Sequence, residues 1–170
     1  MKEVNCPVLA IQWRDRTFPG CGEGRCFAPS TNRNMDNNKA LVANFYSDCL
    51  TVNTHADVSA MMEKLLADDF QSINAKETKR KAALIGQLQY FWKLIPDLKW
   101  TPQEILQDGD RVIVRSTFSG SPKGEFMGLM LDGSKRFETM SIDIHTVKDG
   151  RIATVFHIEE WATAMAQLKG

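Results

Sequence analysis

Hydrophobic positions along this chain change period once. Between Ala40 and Ile95 they recur mostly at three- and four-residue intervals, and from Trp100 to Ile158 they alternate with polar ones. The first spacing lays apolar side chains along one side of a helix, and the second puts them on one face of a strand. A first helix is predicted from the N-cap candidates Asp36 to Asn38, with Ala40, Leu41, Val42, Phe45, Tyr46, Cys49 and Leu50 inward. Asp57 can cap a second, carrying Val58, Met61, Met62, Leu65 and Leu66 and ending at Asp68 and Asp69, before a short strand Phe70 to Ile73. Thr78 or Lys79 opens a third, with Leu84, Leu88, Phe91, Trp92 and Ile95 in one stripe, stopped by Pro96.

The alternating half predicts hairpins. Pro102 to Gln107 and Arg111 to Ser119 flank the turn Asp108-Gly109-Asp110, and the glycine- and methionine-rich stretch Gly120 to Gly133 is expected to be a mobile loop or short strand at a pocket rim. Two further alternating runs flank Lys148-Asp149-Gly150, and Glu159 to Leu168 turns helical again as a lid. Helices first and consecutive hairpins afterwards argue for an α+β domain, residues 35–170, in which a curved, mostly antiparallel sheet wraps around the N-terminal helices as a cone. Met1 to Asn34 has neither period and is dense in turn formers, so residues 1–34 are expected to be a loose tail with Met35 as a second potential start.

The last hairpin carries the candidate chemistry. A three-residue loop with glycine in the left-handed position would set Val147 against Arg151, hence Ser141 against His157, Asp143 against Val155 and His145 against Ala153, all on one face. Asp143 and His157 are then diagonal neighbours able to work on one ligand. The opposite face reads Ile142, Ile144, Thr146, Ile152, Thr154, Phe156 and Ile158.

Composition narrows the classes. The chain is 170 residues long, 43% apolar and 25% charged, with formal net charge zero, which fits one ordinary domain and offers no electrostatic footprint for nucleic acid or an anionic membrane. No apolar run is long enough to span a bilayer, and no secretory signal is evident, so a cytoplasmic location is expected. Cys6, Cys21, Cys26 and Cys49 are read as free thiols; a Cys21 to Cys26 bridge stays open, and the CGEGRC stretch lacks a second ligand pair for zinc.

The order of elements, the IPDLKW stretch, the GEFMG loop and the ending DGRIATVFHIEEWATAMAQLKG resemble the SnoaL-like polyketide cyclases of the nuclear transport factor 2-like superfamily, over roughly Asn38 to Gly170. The resemblance implies a cone fold, frequent homodimers, and ring closure by intramolecular aldol addition without metal or cofactor; the superfamily also holds isomerases, dehydratases, epoxide hydrolases and binding modules. It places a histidine on the first strand of the last hairpin and an acid on the second, whereas here Asp143 and His157 stand exchanged, and the relatives' GIPPTG loop reads GLMLDG. The expected catalytic groups are His157 as principal acid/base, Asp143 as orienting group or base, and Glu160, before the last helix, as a further acid. Ser141, His145, Ser72, Tyr46, Trp92 and Trp161 are expected to line the pocket around a small hydrophobic carbonyl compound. Two rivals remain: a noncatalytic binding or dimerisation module, and a metal enzyme using Asp143, His145 and His157, the ligand types of nonhaem iron sites.

Overall fold

The computed structural model describes residues 32–170, with side chains from Asn37 onward. Helix α1, Asn32–Asn44, begins before the expected cap and runs into a π-helical segment, Phe45–Leu50. That widening, marked by Thr51 N–H donating to Tyr46 C=O at 3.0 Å, buries Phe45, Tyr46, Cys49 and Leu50. Such bulges often mark functional positions, because the extra residue turns a side chain away from the regular stripe. What was expected of residues 1–31, including Cys6, Cys21 and Cys26, lies outside the described residues; Cys49 is a buried free thiol.

Asp57 caps α2, Val58–Leu65, accepting hydrogen bonds from the Ser59 and Ala60 amides at 2.9 and 3.3 Å. The helix stops earlier than its periodicity suggests, and β1 takes Leu66–Ile73, so Asp68 and Asp69 belong to the strand. Asp68 points outward toward Lys81 and Arg151. Thr78 and Lys79 do not open a helix either: β2, Thr78–Arg80, folds back on β1 before α3, Lys81–Leu94. Three residues are too few for their pattern to show; pairing with β1 decides their state.

The remaining elements are β3 Lys99–Asp108, β4 Arg111–Gly120, β5 Lys123–Phe126, β6 Leu129–Asp132, β7 Phe137–Lys148, β8 Arg151–Glu159 and α4 Trp161–Lys169. Six strands form a curved sheet in the order β2-β1-β8-β7-β4-β3, antiparallel except for the β1/β8 pair, while β5 and β6 form a separate ribbon where a mobile loop or short strand was expected. This is the α+β cone expected from the residue pattern.

Side-chain alternation sends Val112, Val114, Ser116 and Phe118 of β4, and Phe137, Thr139, Ser141, Asp143, His145 and Val147 of β7, to the inner face. Helical residues Val42, Tyr46, Met62, Leu88 and Leu94 meet them in one core, each large buried side chain contributing about 1.5 to 3 kcal/mol by leaving water. Trp100 stacks on Phe118 with ring centroids 4.3 Å apart, and Trp161 closes one end, edge-on to Phe91, Phe118 and Phe126 and tilted against Phe137. Among the described residues no helix is long and apolar enough to cross a membrane.

The β7/β8 register differs from the one expected. Asp149 and Gly150 both have positive φ, 50° and 71°, making a two-residue turn that pairs Lys148 with Arg151, and Ala153 bulges out so that Val147 pairs with Ile152 but Thr146 with Thr154. Beyond the bulge Asp143 lies directly opposite His157, His145 opposite Val155 and Ser141 opposite Glu159. Ile152, expected outside, is therefore buried inside.

Candidate active site

Between the inner sheet face and α3 lies a cavity of about 570 Å³, its apolar walls including Phe45, Leu88, Phe91, Trp100 and Trp161. Ser72, Asp143, His145, His157 and Glu159 face it from β1, β7 and β8, and further polar groups such as Glu77, Lys79 and Glu160 lie elsewhere on its wall. A mostly apolar concavity with few convergent polar groups is the usual form of a small-molecule site.

Asp143 is 6% exposed and held from behind. Tyr46, delivered by the π-helical segment, donates its hydroxyl proton to Oδ2 at 2.6 Å, and Ser141 donates to the same oxygen at 3.1 Å. Ser141 is tied to Ser116 at 2.8 Å, and the Trp100 indole donates to both serines. Oδ1 has no hydrogen-bond partner among the described residues, and it is the oxygen left for a ligand. Burial pushes the carboxyl pKa up to about 6, against the hydrogen bonds from Tyr46 and Ser141 that favour the anion; the charge of Glu159 adds to the rise.

Since Tyr46 gives its one proton to the carboxylate, His145 Nε2, 2.9 Å from the phenol oxygen, must carry the hydrogen of that contact. Burial lowers the His145 pKa to about 3, so the ring is neutral and its Nδ1 is an unpartnered acceptor among the described residues. Burial likewise raises the Tyr46 pKa well above its ordinary value, with Asp143 adding to it, which keeps the phenol a donor.

His157 is bonded at both nitrogens: Nδ1 to Glu159 Oε1 at 2.7 Å and Nε2 to Ser72 Oγ at 3.0 Å. Burial pulls its pKa down, but the hydrogen bond and charge of Glu159, with the charge of Asp143, outweigh this and leave it above the ordinary 6.5. Lys79, the cross-strand partner of Ser72, acts in the opposite direction.

Comparison with known proteins now fixes the family. Residues 40–168 match the model of the SnoaL-like polyketide cyclases. The chain belongs to that family. Solved structures agree on the fold. IdmH, a candidate polyketide cyclase from Streptomyces antibioticus, superposes with a TM-score of 0.67 at 26% identity, covering 78% of this chain and 99% of that one. A candidate SnoaL-like polyketide cyclase from Jannaschia sp. CCS1 gives 0.71 at 15% identity, covering 86% and 99%. AclR, a candidate hydroxylase from Streptomyces galilaeus, gives 0.69 at 21% identity, covering 79% and 97%. No curated protein matches the chain.

Within this SnoaL-like frame the expected site residues separate into three groups. Asp143, His145, His157, Ser72, Trp161 and Glu160 do line the cavity. Tyr46 and Ser141 stand one layer behind, reaching the cavity through Asp143. Trp92 is not at the cavity: it lies about 100° around α3 from Phe91, and its indole donates to the Cys49 carbonyl at 3.1 Å. Glu160 is turned from His157 to Thr139 Oγ1, at 3.2 Å. The carboxylate on His157 is Glu159, which was assigned to the terminal helix; β8 runs through it, and two-residue periodicity from His157 would have placed it on the same face. Trp100 and Ser116 were missed too, because only folding stacks β3 and β4 beside β7. The exchange of Asp143 and His157 between strands leaves both on the cavity wall, since they are direct partners. Among the described residues no three His, Cys, Asp or Glu side chains converge so as to hold a metal ion, so the set Asp143, His145 and His157 is not assembled as ligands.

Proposed function

We propose that this SnoaL-like protein performs acid/base chemistry on a small carbonyl compound, with its own side chains as the acid and the base. The observation that supports this most is the pairing of a buried Asp143, one oxygen held and one free, with His157 held above its ordinary pKa by Glu159, in one apolar cavity. Asp143 Oδ1 removes a proton next to the carbonyl, since a carboxylate with a pKa near 6 is a stronger base than a solvated one yet is ionised at neutral pH. The electrons flow to the carbonyl oxygen, where cationic His157 supplies charge and a proton. The resulting enolate adds to a second carbonyl held in the same cavity, closing a ring by intramolecular aldol addition as the family's cyclases do, or is reprotonated at another carbon as in an isomerisation. Apolar walls exclude water and strengthen the attraction between the developing oxyanion and the imidazolium.

The test needs no knowledge of the natural substrate. With a panel of β-diketones in D2O, NMR is expected to show protein-dependent exchange of the hydrogens between the carbonyls, reduced roughly 100-fold or more by Asp143→Asn and by His157→Gln. Compounds that bind without any exchange would make the chain a binding module instead.

A further inference from the structure

One relation in the cavity has a different chemical meaning from the Asp143 base. Glu159 Oε1 is 2.7 Å from His157 Nδ1, and His157 Nε2 is 3.0 Å from Ser72 Oγ. All three side chains line the cavity. We infer that Ser72, His157 and Glu159 form a nucleophile, general base and orienting acid for acyl transfer, giving the protein an esterase activity on small acyl esters that goes beyond the enolisation proposed above.

The order of contacts is what serine nucleophiles require and what recurs on unrelated folds: hydroxyl to one imidazole nitrogen, carboxylate to the other. The two hydrogen bonds have a combined directionality. Glu159 accepts the Nδ1 proton, fixing the tautomer in which Nε2 has a lone pair for the Ser72 hydroxyl. Ser72 Oγ then attacks the carbonyl carbon of the ester, its proton passing to His157 Nε2 and the carbonyl electrons to oxygen. The tetrahedral adduct collapses, the C–O bond to the leaving alcohol breaks, and His157 returns the proton to that alcohol. Water, activated by the same imidazole, releases the acid and restores Ser72.

Two further features favour this chemistry. Ser72 sits on β1 between β2 and β8, so its position is held by backbone pairing on both sides. Lys79 is its direct cross-strand partner, with a side chain only 19% exposed, and although it pairs with Glu77 it brings a positive charge to the wall where the oxyanion forms. The ionisable groups around His157 are Glu159 on its own strand, Asp143 and His145 on β7, and Lys79 on β2.

The same imidazole serves the two reactions in opposite states, which separates them experimentally. Acylation needs neutral His157 and rises with pH through its pKa, whereas enolisation needs it protonated. The full-length protein is mixed with p-nitrophenyl acetate, p-nitrophenolate is followed in the first turnover, and the protein is then digested for peptide mass analysis. Expected are a burst stoichiometric with protein, an acetyl group on the peptide containing Ser72, a single-sided rise with pH, and a loss of roughly 100-fold in acylation rate for His157→Gln. Ser72→Ala is expected to abolish the label with its unfolding midpoint retained. Absence of a burst, or acetyl groups confined to lysines, overturns the inference in the unmodified protein, whether or not the variants fold. Either result leaves the diketone exchange experiment to decide the acid/base reading separately.

Discussion

Asp143 sits where ionisation costs stability. Its folded pKa, about 6, lies above the ordinary 3.8, so the folded protein holds that proton more tightly than the unfolded chain does. The stability this gives is fully present below the ordinary value and is lost as pH rises through about 6. Asp143→Asn, nearly the same shape and still able to accept from Tyr46, is therefore expected to stabilise the protein at pH 7 by roughly 3 kcal/mol while slowing exchange roughly 100-fold or more. Thermal unfolding at pH 7 and at pH 4 checks this: the gain over the parent protein should be large at the first and small at the second. Tyr46→Phe removes the hydrogen bond that favours the anion, so the Asp143 pKa is expected to rise further, carrying the acidic limb of the exchange profile upward.

The hairpin of β7 and β8 sets the pH window as an element. Exchange needs Asp143 ionised and His157 protonated, so its profile is expected to be a bell, rising through about 6 and falling through a His157 pKa held above 6.5. Glu159→Gln withdraws the hydrogen-bonded charge, and the alkaline limb is expected to move down; a limb that stays in place would remove Glu159 from its part in holding His157. The turn fixes the register on which this depends. Gly150 at φ 71° accommodates what a side chain resists, so Gly150→Ala is expected to destabilise by about 1 kcal/mol, read as a midpoint lower by a few degrees.

On the molecule as a whole, the outer sheet face carries an apolar patch on β7 and β8, beside the charged Arg115 of β4. Ile142, Phe156 and Ile158 are exposed at 44, 46 and 73%, and the cross-strand pairs Ile142 with Ile158 and Ile144 with Phe156 make them contiguous. We propose that a second copy of the chain covers this patch, since monomers rarely expose such a strip. Ile158→Lys with Phe156→Lys is expected to give monomers by light scattering at micromolar concentration. A parent protein already monomeric there ends the proposal. Ile152 has no part in that surface, because the Ala153 bulge turns it inward.

What the sequence determined by itself was what depends on local spacing: helices from three-and-four periodicity, strands from alternation, and the shared face of Ser141, Asp143, His145 and His157. That face survived a wrong register for a definite reason. The shorter turn shifts the pairing by one residue and the Ala153 bulge shifts it by one more in the same direction, so the parity beyond the bulge is unchanged although every partner differs by two. Only residues between turn and bulge, such as Ile152, change sides. Where local signals were short, pairing decided instead, as for Thr78–Arg80 and for Glu159 at the end of β8. The partners of the site residues were a matter of tertiary structure alone. Tyr46 lies 97 residues from Asp143, and Ser72 lies 85 from His157. No periodicity carries information over such separations; the curvature of the sheet and the π-helical turn bring these groups within hydrogen-bond reach, and so decide which carboxylate is buried as a base and which one holds the histidine.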